Sequence, residues 1–198
     1  MNPKETAFIF IEFQNDFCTE GGKLYELVRD EIARNKTVPN AVRLLSAARK
    51  RGGLIIHCPF VMDAAWIDTH TCEGILSGIR AGEIFAPDSW GQAIIDAMAP
   101  QDGEIVLQNK RTLSAFSHTN LRAVLDQAGI KNLIVSGFLT NICAQATAYS
   151  AYDLGYTTRM AMDACGAATE AIQQYAEANL PPLLGGASTV DGILAELA

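Results

Sequence analysis

Three segments of this chain hold residue types and spacings that can do chemistry. In Leu133-Ile134-Val135-Ser136-Gly137-Phe138-Leu139-Thr140-Asn141-Ile142-Cys143-Ala144-Gln145-Ala146-Thr147, the pattern predicts a strand, a glycine, Thr140 or Asn141 as N-cap, and a helix with Cys143 in its first turn. The dipole and free N–H groups of a helix start favour thiolate over thiol, which would make Cys143 a nucleophile. The same N–H groups could hold an oxyanion. An inert cysteine packed on a helix face fits the same pattern. Cys18 follows a strand in a turn without a helix start, and Cys58 and Cys165 read as structural. Cys72 falls in a segment without assigned elements.

The second segment, Phe8-Ile9-Phe10-Ile11-Glu12-Phe13-Gln14-Asn15-Asp16-Phe17, is an apolar strand carrying Glu12 near its carboxyl end. A carboxylate buried there needs a cation, a set of donors or a task as a base; one that reaches solvent needs none of these. Asp16 suits the following turn by accepting backbone N–H bonds. The third segment is Gln108-Asn109-Lys110-Arg111-Thr112-Leu113-Ser114-Ala115-Phe116. Adjacent cations usually form a solvated surface pair, but in a cleft facing Glu12, Lys110 would stabilise the carboxylate and any anion developing beside it.

Elements that place these segments follow from periodicity. Short apolar runs at Ala7 to Phe13, Leu54 to Pro59, Ile105 to Leu107, Leu133 to Ser136, Thr158 to Met162 and Ala187 to Val190 predict strands. Between them, Pro39 to Lys50, Asn120 to Gln127, Asn141 to Leu154, Glu170 to Ala178 and Asp191 to Leu197 predict helices. The first ends in Lys50-Arg51-Gly52-Gly53, with cations at the carbonyl end and a glycine free to turn left-handed. The alternation implies βαβ units: an α/β fold of three layers, α/β/α and Rossmann-like, around a mostly parallel six-stranded sheet. In such a sheet the ligand site lies beyond the carboxyl ends of the strands, where Glu12, Lys110 and Cys143 fall. Met62 to Ser89 has weak periodicity and reads as an insertion or lid that sets specificity.

The chain has 198 residues, 49% of them hydrophobic, with 22 acidic against 15 basic side chains and a net charge of −7. That suits one domain over 1–198, gives no electrostatic footprint for nucleic acid, and leaves a small molecule as the expected partner. No run approaches the about 18 apolar residues of a membrane span, and Met1-Asn2-Pro3-Lys4-Glu5 has no apolar signal stretch. The expectation is a cytoplasmic protein without membrane contact. Five cysteines, none in a C-x-x-C pair, argue against a disulfide framework or zinc ribbon.

The ordered motifs Glu12 with Gln14-Asn15-Asp16-Phe17, Lys110-Arg111 with Ser114-Ala115-Phe116, and Gly137-x-x-Thr140-Asn141-x-Cys143 followed by Ala151-Tyr152-Asp153-Leu154-Gly155-Tyr156 resemble the isochorismatase-like cysteine hydrolases. The resemblance covers nearly the whole chain, including Asp163-Ala164-Cys165 and Ala187-Ser188-Thr189-Val190. It implies a catalytic triad in which Glu12 takes the thiol proton, Lys110 holds Glu12, and Cys143 attacks an amide or related carbonyl to give a thioester. It further implies a cis peptide at Phe138-Leu139 and an oxyanion hole formed by the N–H groups of Leu139 and Cys143. Glu12 departs from the family's usual aspartate, and its extra methylene moves the carboxylate by about 1.5 Å.

Nicotinamidases of this superfamily bind a metal through Asp-x-His just after the second strand, where this chain has His57-Cys58-Pro59-Phe60. Asp68-Thr69-His70 comes several residues too late, so no metal and no cofactor are expected, and nicotinamide is disfavoured. His118 precedes a helix and suits a cap. Phe13, Phe17, Trp90, Phe116 and Asn141 are the candidate pocket residues. Apolar surface on the helix Ala144 to Leu154, with Tyr149 and Tyr152, and the family's habit imply a homodimer or homotetramer. Two other activities fit the scaffold: vinyl ether hydrolysis, which gives a thiolate no role, and ligand binding or redox sensing at Cys143.

Overall fold

The computed structural model describes residues 1–70 and 73–197. Among them the elements run β1 (Thr6–Ile11), α1 (Asn15–Cys18), α2 (Tyr25–Asn35), α3 (Thr37–Arg51), β2 (Leu54–Cys58), α4 (Ala64–Thr69), α5 (Ile75–Ala81), β3 (Ile105–Val106), α6 (Leu121–Gln127), β4 (Asn132–Phe138), α7 (Gln145–Asp153), β5 (Thr157–Gly166), α8 (Glu170–Leu184) and α9 (Val190–Glu196). The sheet order is β3-β2-β1-β4-β5 and every pairing is parallel.

β1 is buried along its whole length because both faces are covered. Its alternation decides the layers. Phe8 and Phe10 point to the face packed by Leu44 and Leu45 of α3 and Ile193 of α9. Ala7, Ile9 and Ile11 point to the face packed by Leu121 and Leu125 of α6, Ala148 of α7 and Leu180 of α8. The chain builds outward from β1 through β2 to β3, then returns to the other side of β1 with β4 and β5. The carboxyl ends of β1 and β4 therefore flank the switch point, where open α/β sheets leave a crevice.

The sheet has five strands rather than six. Ser188 accepts one bond from Met162 N–H (2.7 Å), but Ala187 to Val190 pairs no further. The Thr189 side chain accepts from Gly192 N–H, so Val190 opens α9 instead of extending a strand. The stop after α3 is as expected: Gly52 has φ +69° and its N–H reaches the carbonyls of Ala48 and Arg49. α8 runs through Pro181 and Pro182 to Leu184, beyond the expected end near Ala178, because Leu180 and Leu184 both pack beneath the sheet. The Met62 to Ser89 segment holds α4 and α5, and among the described residues no helix is long and apolar enough to cross a membrane.

A buried ion cluster ties α3 to the edge of the sheet. Arg49 Nε donates to Glu104 at 2.6 Å, His57 Nε2 lies 2.9 Å from the same carboxylate, and Gln101 N–H donates to it at 3.0 Å. Burial by itself would raise the Glu104 carboxyl, but the Arg49, Gln101 and His57 hydrogen bonds outweigh it and hold the carboxyl at about 2, below its ordinary 4.5. A depressed carboxyl contributes stability that is present above its unfolded value and lost as pH falls toward the folded one. Glu104→Gln is therefore expected to cost about 3 kcal/mol at pH 7, with the difference from the native protein closing between pH 4.5 and about 2. Urea unfolding of both proteins across that range tests it, and a difference independent of pH would contradict the assignment.

Candidate active site

Glu12 is the first residue past β1. Its N–H donates to Cys58 O (3.1 Å) and its φ is +56°, uncommon for a residue with a Cβ. Gln14 N–H closes the turn on Glu12 O at 2.8 Å. The Glu12 side chain accepts from Lys110 Nζ, which also donates to Thr112 O (2.9 Å) and lies 5.2 Å from the centre of the Phe60 ring. The pair is 3% and 0% exposed, so Lys110 is no solvated surface cation. Arg111 turns the other way, to Asp63 at 3.1 Å. Burial would lower the Lys110 ammonium, but the negative charge of Glu12 beside it more than compensates and the net displacement is upward.

Cys143 sits 6% exposed in a single π turn, Thr140–Ala144, that precedes α7. The expected side-chain cap is absent: Leu139 occupies the N-cap position, Thr140 Oγ1 donates to Gln173 Oε1 (2.7 Å), and Asn141 Oδ1 is buried without a partner. The Phe138-Leu139 peptide is cis. Burial pushes the Cys143 thiol up, the Glu12 charge pushes it further, and only Lys110 opposes them. Desolvation and the Glu12 charge thus work against the thiolate that a helix start favours. A redox-sensing cysteine needs the opposite environment, accessible and of low pKa.

Glu12, Leu139 and Cys143 border one cavity of about 300 Å³. Of the expected wall residues only Phe17 lines it. Phe13 lies behind, edge-on to Phe138 at 5.3 Å. Trp90 is 54% exposed, with its carbonyl accepting from Asn15 Nδ2 (2.9 Å). Phe116 stacks on Tyr156 at 6.2 Å, and Asn141 is not part of the wall. Sequence reasoning missed Leu24 and Leu27 of α2, Ile75 and Ile79 of α5, Phe60 and Phe85. Their signal was the apolar spacing of two helices that were not assigned.

Two polar side chains hold that wall in place. Gln14 accepts from Phe60 N–H (2.8 Å) and donates to the carbonyls of Phe60 (3.0 Å) and Gln92 (2.7 Å). Asp16 accepts from Lys23 N–H (3.1 Å) and Phe85 N–H (2.7 Å), which bears out its turn-organising role and extends it to the far wall. Gly91 packs against the Asp16 carboxylate, where a Cβ would collide.

Among the described residues no group of three or more His, Cys, Asp or Glu could hold a metal ion. Asp68 pairs with Arg80 (3.2 Å) and the His70 ring stacks on Trp66 at 4.1 Å. The His118 ring meets Trp66 edge-on, and it is Thr119 Oγ1, not His118, that accepts from Leu121 N–H at the start of α6. Cys18, Cys58 and Cys165 are free thiols, the last two pushed up to about 12 by burial. Cys72 lies outside the described residues.

A parallel α/β sheet with an acid, a lysine and a cysteine converging at its switch point defines a class before any comparison is made. The isochorismatase domain model matches residues 6–191, and the chain belongs to that family. Ureidoacrylate amidohydrolase RutB of Rhizobium rhizogenes is 31% identical, over 98% of this chain and 84% of that protein. The protein of the same name from Agrobacterium fabrum is 29% identical over 100% and 93%. In fold, a cysteine hydrolase from Pseudomonas syringae pv. phaseolicola superposes with TM-score 0.86 at 24% identity, covering 98% of this chain and 93% of its own. N-carbamoylsarcosine amidase from Thermoplasma acidophilum gives TM-score 0.70 at 21% identity, covering 91% and 93%.

Proposed function

We propose that this protein hydrolyses a C–N bond of a small amide, ureide or related molecule through Glu12, Lys110 and Cys143, without metal or cofactor. The observation that carries the reading is a Glu12 carboxylate, held by a buried Lys110, that borders the same cavity as the buried Cys143 thiol. The relatives named as amidohydrolases support the reaction type.

With the thiol pushed up by burial and by the Glu12 charge, deprotonation accompanies attack. Lys110 holds one Glu12 oxygen, and the other takes the Cys143 proton as Sγ bonds to the substrate carbonyl carbon. The N–H groups of Leu139 and Cys143 receive the resulting oxyanion. Collapse breaks the C–N bond, and the amine leaves with the proton from Glu12. Water, deprotonated by Glu12, then attacks the thioester, returns the thiol and releases the acid.

A thioester common to all substrates of one acyl group has a kinetic signature. With hydroxylamine present, an amide and the anilide of the same acid are expected to give hydroxamate and free acid in one ratio, whatever the leaving amine. A ratio that changes with the leaving group, or acid formed with no hydroxamate, would contradict the thioester.

A further inference from the structure

We propose, resting on the hydrolytic reading above, that the substrate is a neutral amide with a compact apolar body, and that anionic ureido or carbamoyl acids are excluded. The wall of the cavity supports this. Apart from Glu12 and Cys143, every described lining residue is apolar or glycine: Phe17, Phe60, Phe85 and Leu113 on the inner side, with aliphatic side chains of α2 and α5 toward the outside. Leu27 and Ile75 line the cavity while being 47% and 44% exposed, so its mouth is an apolar surface open to water. Such exposed apolar area is where a protein receives an apolar ligand.

Among the described residues no cation lines the cavity to receive a carboxylate. Lys110 Nζ is engaged by Glu12 and Thr112 O. Arg111 pairs with Asp63, Arg80 with Asp68, and Lys23 donates to the carbonyls of Gly82 (2.9 Å) and Glu83 (2.7 Å). None of the four lines the cavity. An anionic substrate would lose its hydration without a partner and face the Glu12 carboxylate as well. The class therefore differs from the one implied by the name ureidoacrylate amidohydrolase, whose substrate carries a carboxylate. At the about 30 Å³ that one water occupies, the cavity holds about ten non-hydrogen atoms, enough for an amide of five or six carbons.

Hexanamide and adipamate form a matched pair that differs only in a terminal methyl against a carboxylate. On the native protein, kcat/KM is expected to rise about fourfold per methylene from acetamide to hexanamide, and adipamate is expected to fall at least about 100-fold below hexanamide. Binding of the same compounds to Cys143→Ala, followed by NMR titration, is expected to give the same order. Leu27→Arg, a change at a half-exposed rim position, is expected to raise adipamate relative to hexanamide about fivefold. Cys143-dependent ammonia release with adipamate preferred, or with no dependence on chain length, would overturn the apolar class and leave hydrolysis standing. The expected binding order without ammonia release from any amide would support the class and remove the hydrolytic reading instead. Failure of both hexanamide and adipamate to bind would overturn the class.

Discussion

Cys143→Ala is expected to lower kcat for amide hydrolysis by about 10,000-fold or more while leaving the melting curve nearly in place. The activity loss follows from the role: with the nucleophile gone, only oriented water and the oxyanion donors remain, and removal of a covalent nucleophile elsewhere costs about that much. The small cost in stability follows from position. Cys143 borders a cavity, so truncation enlarges an existing space instead of opening a new one in packed core. Burial also pushes the thiol up, toward its uncharged form, so the change breaks no ion pair. Cys143→Ser is expected to be nearly as inactive, because a hydroxyl in the same desolvated place is harder still to deprotonate. Retention of more than about a tenth of the activity by Cys143→Ala would exclude a nucleophilic cysteine. It would favour acid catalysis by Glu12, the chemistry that vinyl ether hydrolysis requires. Ammonia release and thermal unfolding of the same preparation give both numbers.

The parts of this molecule that could be read from its sequence are those whose cause is local. β1 is legible because strand burial on both faces leaves an unbroken apolar run, and its end is marked by the one carboxylate in that run, Glu12. The stop of α3 is legible because Gly52 alone can take the left-handed turn after three cations. Glu12, Lys110 and Cys143 were legible as a set because each lies just past a strand, where a parallel sheet puts its site. The substrate cavity was not, because its wall is assembled from α2, α5 and the chain around Phe60 and Phe85, which meet only in three dimensions. Trp90 and Phe116 were chosen by type, yet aromatic type says nothing about direction: one faces solvent and the other packs on Tyr156. The upward push on the Cys143 thiol was hidden for a related reason. A helix start is visible in sequence, whereas desolvation by surrounding side chains is a tertiary property, and here it is the larger effect.

The extra methylene of Glu12 bears on the same point. At positive φ the residue leaves the plane of the sheet, and its longer side chain still meets Lys110 and borders the cavity that Cys143 borders. Gln14 and Asp16, two and four residues further on, fix the wall opposite. One short run from Glu12 to Asp16 thus supplies the proposed base and the struts that shape the space in front of it.

Lys110→Met is expected to destabilise the protein by about 3–5 kcal/mol at pH 7. Glu12 and Lys110 are both buried, and the Glu12 charge favours the ammonium of Lys110 against its own desolvation. Removing the ammonium leaves a buried carboxylate without its counter-charge and strands Thr112 O, whereas methionine keeps most of the volume beneath Phe60. The loss is therefore one of charge balance. It should be largely absent from the double variant Glu12→Gln/Lys110→Met, because a neutral amide in place of the carboxylate has no charge to compensate. Activity should behave differently, remaining lost in both single variants and in the double, since stability needs only charge balance whereas proton transfer from Cys143 needs the carboxylate. Denaturant unfolding of the three variants at pH 7, with ammonia release on the same samples, separates the two demands. A double variant no more stable than Lys110→Met would mean that packing of the lysine stem, and not the ion pair, holds the base in place.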